Sequence, residues 1–228
     1  CGKVATPVHI VDKATKLETI TDKIENINTR FEVLKRDLEI TMLKKELHLI
    51  KNGNAIEELK QIKLEYDKKI NTILADKMFI RKINFGSEFM LSEDQDRVKK
   101  IAKYKWIIDG EEMPLLDEND VCNLQIAKGT LLPEERVIIN EHINITIDML
   151  EQLPYPKNLK NVPEFAGGHH EKINGKGYPK GLTGHEMSTQ AKIMAISDIF
   201  EALTAKDRPY KKGKKLSEAM KILLDMKN

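Results

Sequence analysis

The sequence predicts an all-α protein, and three observations support this fold class. Lys, Ile, Leu and Glu dominate the 228 residues and aromatic residues make up only 5%, a balance that favours helices over stacked sheets. Apolar residues recur at spacings of three and four over long stretches, as they do on one face of a helix. Pro133 followed by two glutamates is typical of a helix start. With 40% apolar residues, the chain can bury one substantial core, alone or with an appendage.

The first predicted helix begins near Glu18 and carries a heptad seam. The seam consists of Ile20, Ile24, Ile27, Phe31, Leu34 and Leu38. Asn52-Gly53-Asn54 supplies a turn, and a second run of helical periodicity follows it. We therefore expect an antiparallel helical hairpin over 18–82, serving as a structural or dimerising arm, because polar heptad hairpins seldom carry chemistry.

The remainder is predicted to be helical with irregular connections. Residues 83–114 are expected to form connecting helices and loops. A helix should run from Pro133 to about Leu153, where two prolines end it. A glycine-rich loop follows, then a helix over about 189–205 and a last helix near the C-terminus.

Charge and cysteine usage restrict the function classes. Lys plus Arg (38) nearly balances Asp plus Glu (36), so no global field would attract a nucleic-acid polymer or an anionic membrane. Cys1 and Cys122 form neither a CxxC pair nor a disulfide framework, which favours a reducing compartment, and we expect the cytoplasm. No run of 18 apolar residues predicts a membrane segment in this chain.

Two adjacent histidines, His169 and His170, suggest a metal site; a solvated loop is the alternative. Neighbouring residues of a helix point about 100° apart, so both rings reach one ion only where the backbone is loosened. Gly167 and Gly168 would supply that loosening. A third imidazole and a carboxylate from nearby helices would complete a set suited to iron, manganese or zinc.

His142 and Asp198 are the candidates for these further ligands. His142 shares a helix face with apolar residues, where a hydrogen-bonded core histidine is the alternative. Asp198 lies between apolar residues one turn away on each side, and its alternatives are a salt bridge or a helix cap.

A tight turn is predicted after the histidines. Asn174, Gly175 and Gly177 tolerate a positive φ, and Tyr178-Pro179 stiffens the exit of the turn. The turn could present backbone N–H groups to a phosphate, or it could be a plain structural turn.

Several motifs, in order, resemble those of the bacterial HD-GYP domains, a family of HD-domain phosphohydrolases that cleave cyclic di-GMP. The motifs are HHE at 169–171, NGKGYPKGL at 174–182 and AISDIFEALTAKDRPYK at 195–211. GTLLPEERVIINEH resembles the family helix that ends in a ligand histidine, here His142. CGKVATPVHIVDKATKL, at 1–17, resembles the continuation of the HDxGK motif and the segment after it.

The resemblance implies that 1–17 begins the HD-GYP domain, that 18–82 is an inserted hairpin and that 115–228 is the core. It implies metal ligands at His142, His169, His170 and Asp198, a catalytic and substrate-binding role for Lys3, substrate contacts at Gly177, Tyr178, Pro179 and Arg208, and supporting roles for Glu171 and Glu201. Two or three divalent transition-metal ions, above all iron or manganese, are implied as cofactors. Asn174 departs from the aspartate common at its position.

The His-Asp pair of the HDxGK motif would precede Cys1, and no His-Asp dipeptide occurs in the sequence. We therefore expect an incomplete metal site, and weak or no activity from these 228 residues alone. In the intact protein, a two-metal centre could activate water for attack on phosphorus. Lys3 and Arg208 would offset phosphoryl charge, although an ion pair with Asp207 or Glu171 is the alternative for Arg208.

Three functions are consistent with these features. The first is a metal-dependent phosphodiesterase that hydrolyses cyclic di-GMP to pGpG or GMP. The second is a non-catalytic signalling module in which the GYP turn (177–179) and the helical arm contact partner proteins. The hairpin is, separately, a candidate surface for a homodimer. The third is a phosphohydrolase of another nucleotide, cyclic or not.

Overall fold

The computed structural model describes residues 5–53, 56–86, 89–205 and 213–226. In chain order the helices and strands are α1 (Val8–Val11), α2 (Ile24–Lys51), α3 (Ile56–Asn84), α4 (Ser92–Ala102), β1 (Lys105–Ile108), β2 (Glu111–Pro114), α5 (Glu118–Leu124), α6 (Pro133–Asn140), α7 (His142–Glu151), α8 (Val162–Gly167), α9 (Thr189–Thr204) and α10 (Leu216–Asp225). Short 3₁₀ helices span Lys157–Leu159 and Gly168–His170. The predicted fold class is confirmed, since the described residues are mostly helical with one small sheet.

The chain divides into two compact units. The first, which we call the histidine unit, comprises Cys1–Asp12 and Pro133–Asn228. The second, the hairpin unit, comprises Lys13–Leu132.

Helices α2 and α3 pack against each other in the hairpin unit and supply much of its core. Ile27 and Phe31 of α2 are fully buried, as is Ile80 of α3. Leu115 and Leu124, from the segments after the hairpin, join the same core. Within the predicted heptad seam, Ile27, Phe31 and Leu34 are buried because other segments pack around them. Ile24 and Leu38 of the seam are partly buried.

Helix α2 begins six residues later than the sequence suggested. The Glu18 carboxylate accepts hydrogen bonds from the backbone N–H groups of Ala14 and Thr15, which holds this segment in a loop. Asp22 accepts from the N–H of Ile24 at the helix start. The apolar residue assigned to the start of the seam, Ile20, consequently lies before the helix and is exposed.

The predicted connecting helices of 83–114 are one helix, α4, followed by a β-hairpin. Strands β1 and β2 are antiparallel, with Ile108 opposite Glu111. Asp109 and Gly110 between them have φ values of 51° and 85°, as in a two-residue type I′ turn. Asp-Gly is a strong signal for such a turn, and the segment before it is rich in β-formers.

No helix in the described ranges combines the length and the apolar character that a membrane crossing requires.

Candidate metal centre

His142 lies where two helices meet. Its Nδ1 is hydrogen-bonded to the carbonyl oxygen of Ile139, an oxygen that a regular helix would offer to the amide of Ile143. Helix α6 ends at Asn140 and α7 begins at His142. The single helix predicted from Pro133 onward is therefore two helices. The buried ring of His142 lies at the junction between them.

His169 and His170 are held in a different local structure, the 3₁₀ helix Gly168–His170. The Nδ1 of His169 bonds to the carbonyl oxygen of Ala166, three residues earlier, in the same relation that joins His142 to Ile139. A carbonyl can only accept, so Nδ1 carries the proton in both rings. In the neutral imidazole this tautomer leaves Nε2 as the nitrogen with a free lone pair, which a metal ion can use.

The glycines before the histidine pair act through packing and not through backbone freedom. Gly167 and Gly168 have φ values of −69° and −86°, which any residue can adopt. A Cβ on Gly167 would come within 2.7 Å of the Ile147 side chain on α7, and one on Gly168 within 2.8 Å of Ala191 on α9. The interpretation of these glycines as a loosening device is therefore wrong: they let α7 and α9 approach the histidine segment.

The three imidazoles converge. Each offers one nitrogen, and these nitrogens all lie within 4.8 Å of one another. The ring centroids of His169 and His170 are 4.3 Å apart, and those of His142 and His170 are 5.2 Å apart. Three imidazoles that face one point form a set suited to a divalent transition metal. This group could hold such an ion.

The electrostatics at His170 favour its neutral imidazole. Burial, followed by the neighbouring His169, lowers the pKa of His170 to about 4, against the opposing charge of Asp198. A ring with this pKa is unprotonated at neutral pH and keeps a lone pair for a metal. The Tyr178 ring stacks on His170 with centroids 4.8 Å apart, and burial, then the charge of Asp198, raises the pKa of its hydroxyl.

The predicted acidic residues of α9 lie outside the close group. Among the described residues, the metal-binding group contains three histidines and no carboxylate. Asp198 is exposed, yet its charge acts on both His170 and Tyr178, so it lies near the rings. Glu201 is also exposed on α9. The ligand role of Asp198 and the supporting role of Glu201 stay predictions.

Glu171 follows the histidine pair and holds the GYP turn. Its buried carboxylate accepts hydrogen bonds from the N–H of Lys180 at 2.7 Å and of Leu182 at 2.9 Å. A Cβ on Gly177 would lie 2.4 Å from the Cα of Glu171. Only glycine allows the two backbones to pass so closely. Glu171 thus supports the segment that carries Tyr178.

The backbone donors of the turn are largely occupied within the turn. The N–H groups of Gly175 and Tyr178 donate to the carbonyls of Lys172 and His170, and the N–H of Lys176 donates to the Asn174 side chain. Together with the two bonds to Glu171, these contacts leave few N–H groups for a phosphate. They favour the structural interpretation of the turn over the phosphate-binding one.

Two predicted site residues, Lys3 and Arg208, lie outside the described residues. Sequence reasoning missed the carbonyl oxygens of Ile139 and Ala166, which orient two of the rings. The available signal was the position of each histidine near a helix end, where a side chain can reach the carbonyl three residues earlier.

The described geometry brings three histidines together in a helical domain, and comparison with known proteins shows what this domain is similar to. Residues 119–228 match the family model described as HD domain. The "3'3'-cGAMP-specific phosphodiesterase 3" of Vibrio cholerae is 40% identical over 74 residues, which cover 32% of this chain and 16% of that protein. The "Cyclic di-GMP phosphodiesterase" of Thermotoga maritima is 39% identical over 96 residues, covering 42% of this chain and 26% of that protein.

A longer match covers 136 residues of the "Cyclic di-GMP phosphodiesterase response regulator RpfG" of Xanthomonas campestris pv. campestris at 28% identity, which is 58% of this chain and 33% of that protein. The chain thus spans a third or less of the length of these relatives. Residues 119–228 match the HD domain family model, and the motifs within them resemble those of HD-GYP domains, in agreement with similar proteins that are named cyclic di-GMP phosphodiesterases.

Proposed function

We propose that the intact protein is a metal-dependent phosphodiesterase that hydrolyses cyclic di-GMP to pGpG or GMP. The observation that carries the proposal is the convergence of three imidazole nitrogens within 4.8 Å. The similar proteins are named as cyclic-dinucleotide phosphodiesterases, which supports the same reaction class.

The proposed ligands are His142, His169 and His170, joined by Asp198. When bound, divalent ions supply Lewis acidity toward water and the phosphoryl group. The chain prepares the site by fixing the tautomers of His142 and His169 through carbonyl bonds. Burial keeps His170 unprotonated near neutral pH. We further propose two or three ions, iron or manganese, since imidazole with carboxylate suits these metals.

The substrate would meet the ring of Tyr178 and the turn around Gly177 and Pro179. Tyr178 stacks on His170, so a group bound against this tyrosine would lie next to the proposed metal. Lys3 and Arg208 are proposed as cations for the phosphates, and Glu171 and Glu201 as supporting residues.

Cyclic GMP-AMP is a second candidate substrate. The names of two of the similar Vibrio cholerae proteins specify 3'3'-cGAMP, whereas others specify cyclic di-GMP. The two substrates differ in one base and share the same phosphodiester bonds. Contacts to that base, and not the hydrolytic chemistry, would therefore distinguish them.

The proposal is tested with the whole protein loaded with Mn²⁺ or, without oxygen, Fe²⁺. Bound metal is measured by mass spectrometry, and hydrolysis of both cyclic dinucleotides is followed by chromatography. We expect His170→Ala to lower the metal content and reduce turnover by at least about a hundredfold. His185→Ala is the matched control, since His185 is an exposed histidine of the same unit outside the ligand group.

A metal-loaded protein that turns over neither cyclic dinucleotide would overturn the proposal. Binding of either dinucleotide without turnover would favour the non-catalytic signalling module. Hydrolysis of nucleoside monophosphates alone would favour the other phosphohydrolase.

We also propose the cytoplasm as the compartment, consistent with the free Cys122. Contact of the GYP turn with partner proteins is proposed for the signalling function. Association with a second copy through the hairpin is proposed as well. The exposed apolar residues of α2 indicate how the two copies would pair.

A further inference from the structure

Helix α2 carries a second apolar seam that its own hairpin does not use. The seam consists of Ile40, Leu43, Leu47 and Ile50, spaced by three, four and three, with exposed fractions between 48% and 62%. At 100° per residue, the centre of this seam lies about 140° around the helix axis from the centre of another apolar row, which consists of Leu38, Met42 and Leu49. Leu49 lines the groove that Ile62 of α3 also lines. The second seam therefore lies on the far side of α2 from α3.

We propose that this seam pairs with the same seam of a second copy in a parallel, in-register two-stranded coiled coil. With Ile40 and Leu47 at heptad position a, Leu43 and Ile50 occupy position d. Two full heptads of branched apolar residues then face the partner. Such a repeat is the pattern that drives helix pairing in water.

The charges that flank the seam select the parallel orientation. Position g holds Glu39 and Glu46, and position e holds Lys44 and Lys51. A parallel dimer pairs g of one helix with the following e of the other, which joins Glu39 with Lys44 and Glu46 with Lys51. An antiparallel dimer pairs g with g and e with e, which brings glutamates together and lysines together. Only the parallel pairing is complementary.

The first of these pairs is the more accessible one. Glu39 and Lys44 are exposed, and neither has an ion-pair partner among the described residues. Glu46 lies 3.8 Å from Lys63 of its own hairpin, so its charge is shared. Experiments on orientation therefore use Glu39 and Lys44.

The size of the seam sets the strength of association. Four apolar residues per copy are far fewer than the ~20 residues a side of a standard interface, so the dimer should be weak, in the micromolar range. The helix is already formed in the hairpin, which removes the ordering cost that makes short isolated coiled coils unstable. The dimer is independent of the proposed hydrolysis, because its residues contribute nothing to the metal-binding group.

The experiment is sedimentation equilibrium of the 228-residue chain over a wide concentration range. We expect a monomer–dimer equilibrium, and we expect Leu43→Glu to raise the dissociation constant by about a hundredfold, since two leucines leave the interface. Leu64→Glu is the matched control. Leu64 lies on α3 and is 49% exposed against 50% for Leu43, so its replacement should leave the dissociation constant unchanged.

Charge reversal tests the orientation. Glu39→Lys or Lys44→Glu alone should raise the dissociation constant about tenfold in low salt, because two attractive pairs become repulsive. The double variant Glu39→Lys/Lys44→Glu should return it to the original value. In an antiparallel dimer g meets g and e meets e, so none of the three variants would turn an attractive pair into a repulsive one, and none would weaken the dimer.

A chain that stays monomeric at every concentration would overturn the proposal, as would equal effects of the Leu43 and Leu64 variants. Circular dichroism checks that each variant keeps its helices. A larger oligomer, or a dimer with no response to charge reversal, would also count against the parallel pair.

Discussion

A carboxylate of the hairpin unit and two imidazoles of the histidine unit use their polar atoms in opposite ways. In the hairpin unit, the Asp76 carboxylate accepts hydrogen bonds from Arg97 and the Tyr104 hydroxyl, at 2.9 and 2.6 Å. In the histidine unit, His142 and His169 each use Nδ1 for a main-chain carbonyl, and both rings converge with His170. Groups whose bonds are completed within the chain hold the fold, whereas groups left half-bonded and converging are available for a ligand.

The largest effect that would test this contrast is the loss of Asp76. Its burial, and its bonds to a cation and a hydroxyl, make it a central polar group of the hairpin unit; burial and the bond to Asp76 raise the pKa of Tyr104 to about 12. Asp76→Ala should lower the free energy of unfolding by about 3 kcal/mol, since it leaves partly buried donors unpaired. Urea denaturation measures the change.

Asp96→Ala is the control for Asp76. Asp96 pairs with Lys99 at 3.1 Å, with both side chains mostly exposed, and exposed pairs contribute less than about 1 kcal/mol. If the two variants were equally destabilised, the buried network would not be what holds the unit. The metal content of both should match that of the original protein.

A second test concerns the backbone contact beneath the GYP turn. Gly177→Ala should lower the free energy of unfolding by about 2 kcal/mol, because its Cβ meets backbone atoms of Glu171 and Lys172 that cannot move alone. At Gly184 an added Cβ meets chiefly the Cγ2 methyl of Ile173, at 2.7 Å, which rotation of that side chain can move, whereas backbone atoms cannot be moved in this way. Gly184→Ala should therefore cost less in the same thermal or chemical unfolding measurement, and the reverse order would contradict this account of the turn.

Lys16 gives a pH-dependent test in the hairpin unit. Its ammonium donates to the carbonyl of Leu124, and burial lowers its pKa from 10.5 to about 8, against the opposing attraction of Asp94. Between these two values the unfolded chain binds more protons than the folded chain, so the free energy of unfolding from this group rises with pH. Lys16→Met should remove about 1 to 3 kcal/mol of that rise.

The Lys16 measurement compares urea unfolding of the original chain and the variant between about pH 8 and 10.5, the interval between the folded and unfolded pKa values of this lysine. The difference between the two isolates Lys16 from other titrating groups. Parallel stability curves would show that this lysine titrates as it does in the unfolded chain.

The smallest expected effect on stability belongs to the metal group. His170→Phe keeps an aromatic ring against Tyr178 and should change the free energy of unfolding of the metal-free protein by less than about 1 kcal/mol. Added Mn²⁺ should stabilise the original protein, by about 2.7 kcal/mol at a hundred times its dissociation constant, and should leave the variant unchanged. Thermal shift with and without Mn²⁺ measures both, and equal stabilisation of the two proteins would contradict the ligand role.

Much of the helical fold and of the histidine site could be predicted from the sequence, although the reason given for the glycine pair was wrong. The helical class and the three histidines followed from periodicity and from motifs. The start of α2 could not be predicted from the spacing of apolar residues, because that spacing continues through the preceding loop. In this loop the Glu18 and Asp22 carboxylates accept hydrogen bonds from nearby backbone N–H groups. The β-hairpin was missed although Asp109-Gly110 is a turn signal, because short strands compete poorly with a helical context.

The glycine pair shows a different limit. Gly167 and Gly168 suggested backbone freedom, whereas their use is the close approach of Ile147 and Ala191. A sequence shows that a side chain is absent at these positions but not which neighbour fills the space. Tertiary contacts of this kind lie beyond local pattern.

The carbonyl bonds of His142 and His169 have a consequence for how metal is acquired. A ring hydrogen-bonded at Nδ1 is held against rotation about its Cβ–Cγ bond, so these two proposed ligands would keep their orientation whether or not an ion is bound. Loading then requires little rearrangement of these rings, and the ion could be exchanged for another of similar size without refolding the unit. The metal carried in the cell would follow supply as much as intrinsic preference.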